Sequence, residues 1–563
     1  MTMNHLGQKE FHIAPMIDVS TIEFRYFIRL LTKRAVIWNQ MVVAETLVYR
    51  SGRVTNNRND CKEGNDPSLC CELSSLSING SEHDKDDEDD VELNQDLIKY
   101  CGWYKDDFIN PHPTVCQIGS NNPAHTEFAT RIVRKIGYDS IDLNCECPSD
   151  RVAGRNFGAA LMKDQDAAVK IVSSMVQTSH QSKSLHRDGS MPPPLPVSVK
   201  TRIGVDEMDG FEFIASFIQR LVEEAGCKQF VIHARKVYTK GLNPAQNRTI
   251  PPLDYPCVYR LMKHFPQCSF LINGGIMSLE HAREVAFGRS VKFDECGDAR
   301  AEDESCSSLV GDQHAVPCQR CNLPRGSCLG PPHIAPPNLR GVMVGRLARD
   351  RPADLADVDR YFYGEATNPC INRRVLMERY ISFLERVYPR RCCDDDERVT
   401  LDLVRDVTLS ILPKQQCCSV CEEFRGLRNN GEITTQQEDV DGGIAPKDDS
   451  MKVVQPAVAS STGKPNQTRQ SGKRSRRHSK YNGVKIVTRI IDRAIQPTWG
   501  ILAGEKGKIV FCRVSHELSR DRCCRNCGPG YILWKAMESV PDEIWDKPFE
   551  LSDGRKTTYY PSK

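Results

Sequence analysis

Two thiols set two residues apart, Cys145 and Cys147, follow the strand-like run Tyr138–Leu143 and precede Pro148. An unperturbed thiol titrates near about 8.5, so at neutral pH it is mostly protonated and can serve as a general acid. A buried structural cysteine is the plainer alternative. If the strand continued, the two thiols would share one face. The turn at Pro148 makes that parity unreliable, so spacing alone leaves the choice open. Other residues able to do chemistry are Gln117, Asn144, Lys200, Arg202, His233, Arg235, Lys236, the run Asn273-Gly274-Gly275, and Gly345-Arg346. Taken singly, Gln117 reads as a loop residue, His233 as a satisfied core histidine and the glycine pair as a tight turn. Every one of them, however, stands at the end of a short β-branched run.

Those runs are Phe11–Met16, Ala35–Val42, Thr114–Ile118, Tyr138–Leu143, Leu195–Thr201, Lys228–Ala234, Cys268–Asn273 and Arg340–Gly345. Helical patterns separate them. Phe24, Phe27, Ile28 and Leu31 recur at helical spacing behind Ser20 and Glu23, which are placed as a capping box. Asn122-Pro123 is an N-cap followed by proline at the first helical position. Phe211–Ala225, Leu279–Phe287 and Ala353–Phe362 are further crossover helices. Runs such as VSVKT and FVIHA are almost continuously apolar or β-branched, as strands covered on both faces should be. Eight β units with helical connections predict an α/β fold, a (β/α)8 barrel. A doubly wound sheet is the alternative, but it usually carries a phosphate loop after its first strand, and HIAPMID has no glycine there.

In such a barrel the C-terminal strand ends build the active site, which puts all of these residues on one face. The glycine-containing loops follow the seventh and eighth strands, where barrels often bind a phosphate. Glycine lets backbone N–H groups approach a ligand, and Arg346 adds a fixed cation. A phosphate there, with Gln117, Lys200 and His233 around a planar heterocycle, fits flavin mononucleotide (FMN). Lys200 would then stabilise the anionic reduced ring.

The segments HIAPMIDVSTIEFRYFIRLL, PTVCQIGSNNP, GYDSIDLNCECPSDRVAGRNFGAALM, VSVKTRIGVDE, FVIHARKVYTKGLNPAQNRTIPPLDYPCVYRL, INGGI and GVMVGR together resemble the tRNA-dihydrouridine synthases. Among these they resemble the bacterial subgroup that acts on D-loop uridines 20 and 20a, and the IHARK segment with its continuation is the most specific piece. The resemblance spans Phe11 to about Gly364. It implies FMN held by Pro15, Met16, Ile17, Gln117, Lys200, His233, Asn273, Gly274, Gly275, Gly345 and Arg346, with NADPH as reductant. It implies that Cys147, not Cys145, is catalytic, and that Asn144, Arg235, Lys236, Arg248 and Arg513 meet tRNA. Two positions depart from the family pattern. Glu146 replaces the glycine before the cysteine, and Ala245 stands where the subgroup commonly has a lysine. The rival readings are another FMN barrel reductase acting on a free pyrimidine, and a catalytically silent tRNA-binding factor.

The 563 residues exceed one core, and 39% apolar with 27% charged implies polar stretches diluting globular ones. The barrel, residues 1–364, is expected to carry loops near 51–110, 179–194 and 289–338. A helical tRNA-binding domain, 365–545, would be interrupted by a polar tract near 422–480 and followed by a tail, 546–563. Within it, Asn372–Val387, Val399–Leu412, Ile486–Ser519 and Tyr531–Val540 read as helical. Lys and Arg number 76 against 74 Asp and Glu, so tRNA must meet a local basic face. The acidic run Asp84–Asp90 should project away from it. No run is long and apolar enough to span a membrane, and residues 1–11 read as neither signal nor transit peptide. A cytoplasmic protein is expected, with Lys473–Lys480 as a solvated linker or else as a phosphate contact or a nuclear address, and no obligate protein partner is implied. The 25 cysteines then read as thiols, not a disulfide framework. CxxC pairs stand at Cys318/Cys321, Cys418/Cys421 and Cys524/Cys527. With Cys328 and His333, the first has the ligand types of a zinc knuckle, but no metal is assigned.

Overall fold

The computed structural model describes residues 9–51, 93–103, 112–148, 156–180, 193–288, 291–293, 299–301, 335–388 and 489–550. Eight strands form its centre: β1 Glu10–Ile13, β2 Val36–Trp38, β3 Thr114–Gly119, β4 Ser140–Cys145, β5 Val197–Arg202, β6 Gln229–His233, β7 Ser269–Asn273 and β8 Leu339–Val344. All pair in parallel with their sequence neighbours, and β8 pairs with β1, so the sheet closes into a (β/α)8 barrel. The closure is tight. Glu10 lies opposite Gly341 across the β1–β8 junction, where a Cβ would come within 2.0 Å of the Glu10 carbonyl oxygen.

Strand alternation sorts the side chains. On β4, Ile141, Leu143 and Cys145 enter the large core under the helices, while Asp142 and Asn144 bond across the barrel interior. A smaller apolar layer made by Ala14, Trp38, Val115, Val231, Leu271 and Met343 fills the interior. Near the N-terminal end of the barrel, buried His12 accepts from Trp38 Nε1 at 3.0 Å and meets the Glu10 carboxylate at 2.6 Å. Arg340 holds the same carboxylate at 2.7 Å.

The crossover helices begin largely where the sequence signals place them. Asn122 caps Pro123–Ile136, Ser278 caps Leu279–Phe287 and Asn372 caps Arg373–Val387, each side chain accepting backbone N–H bonds. The first helix, Ile22–Leu31, differs from the expected capping box. Thr21, not Ser20, is the N-cap. Ser20 bonds the Ala14 carbonyl instead, and Glu23 accepts from Tyr388 and pairs with Arg493, so tertiary partners have claimed both residues. Ala353–Phe362 is a 3-10 turn, Pro352–Asp357, running into a π turn, Val358–Phe362, and not one α-helix.

The stretch expected as a loop from 51 to 110 contains a short helix, Gln95–Tyr100, that Asn94 caps. Leu97, Cys101 and Trp103 bury against the barrel, which polar composition averaged over the stretch concealed. Within the third expected loop, Val291–Phe293 and Ala299–Ala301 form an antiparallel pair. The expected helix Val399–Leu412, the acidic run, the tract 422–480, the run Lys473–Lys480 and the cysteine pairs at 318/321 and 418/421 lie outside the described residues.

Beyond the barrel, Arg373–Val387 packs on the first helix through a Tyr26–Phe383 stack at 3.8 Å and a Phe27–Tyr380 edge contact at 4.9 Å. Lys508–Arg520 and Arg522–Met537 follow, the latter broken at Gly528, where φ is 86° just before Pro529. Phe549, expected in the tail, is buried, and its N–H donates to the Ile371 carbonyl at 2.9 Å. No described helix is long and apolar enough to cross a membrane.

The junction yields a stability prediction. Gly341→Ala places a methyl group against backbone that cannot move without opening the barrel, and overpacking of this kind costs about 1–3 kcal/mol or more. Thermal melts of the full chain should show a drop of several degrees or insoluble expression. A melt matching wild type would mean that β1 and β8 are further apart than this register requires.

Candidate active site

At the C-terminal ends of the strands, interior side chains hold one another in a chain of hydrogen bonds. Asn144 Nδ2 donates to Gln117 Oε1 at 3.0 Å, and Gln117 Nε2 donates to Asp142 Oδ2 at 2.9 Å. Ser198 Oγ donates to Asp142 Oδ1 at 2.8 Å. Register explains the contacts, because Gln117, Asp142 and Ser198 are direct neighbours on β3, β4 and β5, as are Asn144 and Lys200 on β4 and β5. Asn39 Oδ1 accepts the Gln117 backbone N–H at 2.8 Å and fixes the strand from below the loop. Lys200 Nζ donates to Asn273 Oδ1 at 3.2 Å, and Asn273 Nδ2 donates to the Met343 carbonyl at 2.9 Å.

Glu146 completes this arrangement. Its carboxylate lies 2.5 Å from Lys200 Nζ and 3.4 Å from His233 Nδ1. Burial alone would raise this carboxyl, but Lys200 above all, with His233 and Arg202, holds it well below the usual carboxylate range. Burial lowers Lys200, while Glu146 pulls it back up. His233 is pushed down to about 3 by burial and by Arg202, against the pull of Glu146, so the imidazole is neutral at physiological pH.

The two cysteines separate cleanly. Cys145 is the last residue of β4, faces the helix layer and is fully buried, and burial raises its thiol well above the ordinary value. Cys147 lies past the strand end and is half-buried. Asn144 Oδ1 accepts the backbone N–H groups of Glu146 at 3.3 Å and Cys147 at 3.1 Å, which turns the chain and breaks the strand parity. Arg202 and Arg248 are both influenced electrostatically by Cys147.

Those arginines belong to a larger cationic group. Arg235 is lowered first by burial and then by Arg346, and Arg248 by burial, then Arg349, then Arg346. Arg235 is nearly buried and bonds the carbonyls of Thr249 and Pro251, while Arg202 bonds those of Lys236 at 3.2 Å and Asn247 at 2.9 Å. The Nε–H groups of both Arg202 and Arg235 are buried without a hydrogen-bond acceptor. Such packing of like charge asks for an anionic ligand. Lys236 pairs with Asp209 at 2.6 Å. Arg513 is exposed on the helix Lys508–Arg520, one turn from Ile509.

The glycine loops divide by cause. Gly274 and Gly275 have φ of 114° and 72°, and a Cβ on them would strike His233 at 2.8 Å and Leu253 at 2.3 Å. Their identity is therefore explained by the protein's own packing. At Gly345 a Cβ would meet only Ala14 and Met16, at 3.5 and 3.6 Å, so protein packing does not demand glycine there and the backbone stays open to a ligand. Pro15 and Met16 are half-buried and Ile17 is 50% exposed at the rim.

Sequence reading missed Asp142, Asn39 and the bonding role of Glu146, because inward-facing acids and amides inside a strand look like ordinary polar breaks. Alternation against Ile141 and Leu143 was the available signal. Cys524 and Cys527 are not joined in a disulfide, and among the described residues no group of three His, Cys, Asp or Glu gathers as a metal site.

Comparison with known proteins gives a consistent picture. Residues 101–288 match the dihydrouridine synthase family. A tRNA-dihydrouridine(20/20a) synthase of Vibrio vulnificus (strain CMCP6) is 29% identical over 374 residues, covering 66% of this chain and 79% of that protein. The corresponding protein of Salmonella typhimurium is 30% identical, covering 67% and 79%, and that of Escherichia coli O6:H1 is 34% identical, covering 67% and 83%. A solved morphinone reductase, 11% identical over 64% of this chain and 87% of that one, has a TM-score of 0.26, which adds nothing to the strand order.

Asp142 supplies a pH test. Burial pushes its carboxyl up to about 8, against the hydrogen bonds from Gln117 and Ser198 and the charge of Lys200. The folded value lies above the ordinary 3.8, so the native state keeps a proton that the unfolded chain releases. Its stabilisation is full below the unfolded value and is lost as pH rises through about 8. Asp142→Asn keeps an acceptor for Gln117 and offers a donor to Ser198. Its melting temperature should gain on wild type by several degrees between about pH 5 and about pH 8.5. A constant gap across that range would show Asp142 to be ionised throughout.

Proposed function

This chain belongs to the tRNA-dihydrouridine synthase family, and from that premise we propose that it reduces the C5=C6 bond of D-loop uridines, at positions 20 and 20a, in transfer RNA. The observation that carries the assignment is the convergence at one barrel mouth of Gln117, Asn144, Lys200, His233 and Asn273 with a half-buried Cys147 on the turn that Asn144 sets. A free-pyrimidine reductase would have no use for the arginine group or the helices beyond the barrel.

The residues fit flavin mononucleotide in chemistry. Lys200 and Gln117 offer donors to ring carbonyls, and Arg346 with the open backbone at Gly345 suits a phosphate. Pro15, Met16, Ile17, His233, Asn273, Gly274 and Gly275 complete the set that would hold it. A flavin held there and reduced by NADPH would supply the hydride for C6 of uracil. Among the described residues that meet Lys200 and His233, Glu146 is the one whose charge opposes this fit.

Cys147 is the proton donor to C5. It is accessible where Cys145 is not, and a thiol is protonated at neutral pH yet acidic enough to give up its proton readily. Asn144 sets the turn that presents it. Arg248 and Lys236 bind phosphates around a uridine that must leave its stack to enter the barrel. Arg235, held by its own loop, supports that surface from within, and Arg513 meets the RNA from the helical domain, residues 365–545.

Two experiments test this reading. Cys147→Ala should leave NADPH oxidation by the flavoprotein intact and slow tRNA reduction by about two orders of magnitude or more, whereas Cys145→Ala should change little. A stalled tRNA step in Cys145→Ala alone would reverse the assignment of the thiols. Separately, Arg248→Ala should weaken tRNA affinity and flatten its dependence on salt, as loss of one phosphate contact does. Unchanged affinity and slope would remove Arg248 from the RNA surface.

A further inference from the structure

Lys200 has two acceptors of different kinds. Asn273 belongs to the frame of the barrel, because its own amide is tied to the Met343 backbone on β8. Glu146 stands on the turn after β4, held there through its backbone N–H to Asn144. The lysine side chain is 1% exposed and the glutamate side chain 16% exposed, so the glutamate covers the lysine on the solvent side. The same carboxylate also reaches His233. A ligand entering from the mouth to accept a hydrogen bond from Lys200 therefore meets Glu146 first.

A buried ammonium needs a compensating partner. Glu146 fills that need, since Asn273 is neutral and burial favours the protonated form of Asp142. The carboxylate thus occupies the position that a ring carbonyl or an anionic ring edge would take. We propose that Glu146 is an internal occupant of the acceptor position formed by Lys200 and His233, and that flavin loading requires this carboxylate to swing off Lys200 on the Asn144–Cys147 turn. The proposal rests on the flavin reading above. It also gives the glutamate a consequence for the chemistry, because the backbone that moves with it carries Cys147, so cofactor loading and thiol placement share one turn.

An occupant lowers apparent affinity by the fraction of time for which the site is open. The test uses full-length protein stripped of flavin, titrated with FMN and followed by quenching of flavin fluorescence, with circular dichroism confirming the fold of each variant. Glu146→Gln keeps the shape of the side chain and removes its charge, and Glu146→Gly removes the side chain. Both should bind FMN about tenfold more tightly or better than wild type, and FMN should raise their melting temperatures by correspondingly more. Equal affinity in all three proteins overturns the occupant role and leaves the flavin reading standing. Weaker binding by Glu146→Gln overturns it too, by making the carboxylate a cofactor ligand. Failure of every variant to bind FMN removes the flavin reading, and this inference with it.

Discussion

A closed parallel barrel gives its inward side chains no solvent to lean on, and this chain places Gln117, Asp142, Asn144, Ser198 and Lys200 on that inner surface. They must satisfy one another, and the way they do so organises the site. Asp142 accepts from both neighbouring strands, Asn144 continues the chain of bonds to the strand end, and its remaining oxygen shapes the turn beyond. Position on the strand, bond pattern and the orientation of the Cys147 segment are one linked problem. A substitution at Asp142 is thus felt at a thiol five residues on in sequence, through Gln117 and Asn144.

Much of this was legible in the sequence, and for identifiable reasons. Continuous β-branched runs between amphipathic helices specify buried parallel strands, and all eight runs became barrel strands with ends shifted by a few residues. Residues immediately after those runs were assigned to one face because barrel topology leaves them nowhere else. What stayed hidden depended on partners distant in sequence. Glu23 looked like a local cap, yet it is held by Tyr388 and Arg493. The helix Gln95–Tyr100 is too short to announce itself within a polar surround. Gly274 and Gly275 were read as room for a phosphate, and the sequence could not show that a Cβ there would also strike His233 and Leu253.

The cysteine pair shows the same limit on a finer scale. Spacing of two would place both thiols on one face of a continuing strand. The strand stops at Cys145, and the Asn144 side chain bends the next residues before Cys147 is reached. Local sequence contains the asparagine, but only the network that orients its amide determines the bend. Glu146, between the two thiols, is drawn inward by Lys200 and His233 for an equally nonlocal reason.

The shared carboxylate of Glu23 has a bearing on how this protein can change over evolutionary time. Tyr388 and Arg493 lie on either side of the interval 389–488, and both end at that one side chain. The two ends of that interval are therefore brought together at one carboxylate. An interval anchored in this way can gain or lose residues without moving the helices at its ends, since connectivity constrains only the distance between its two anchors. Variation in length among lineages should collect there, while the barrel and the helices packed on it keep their spacing.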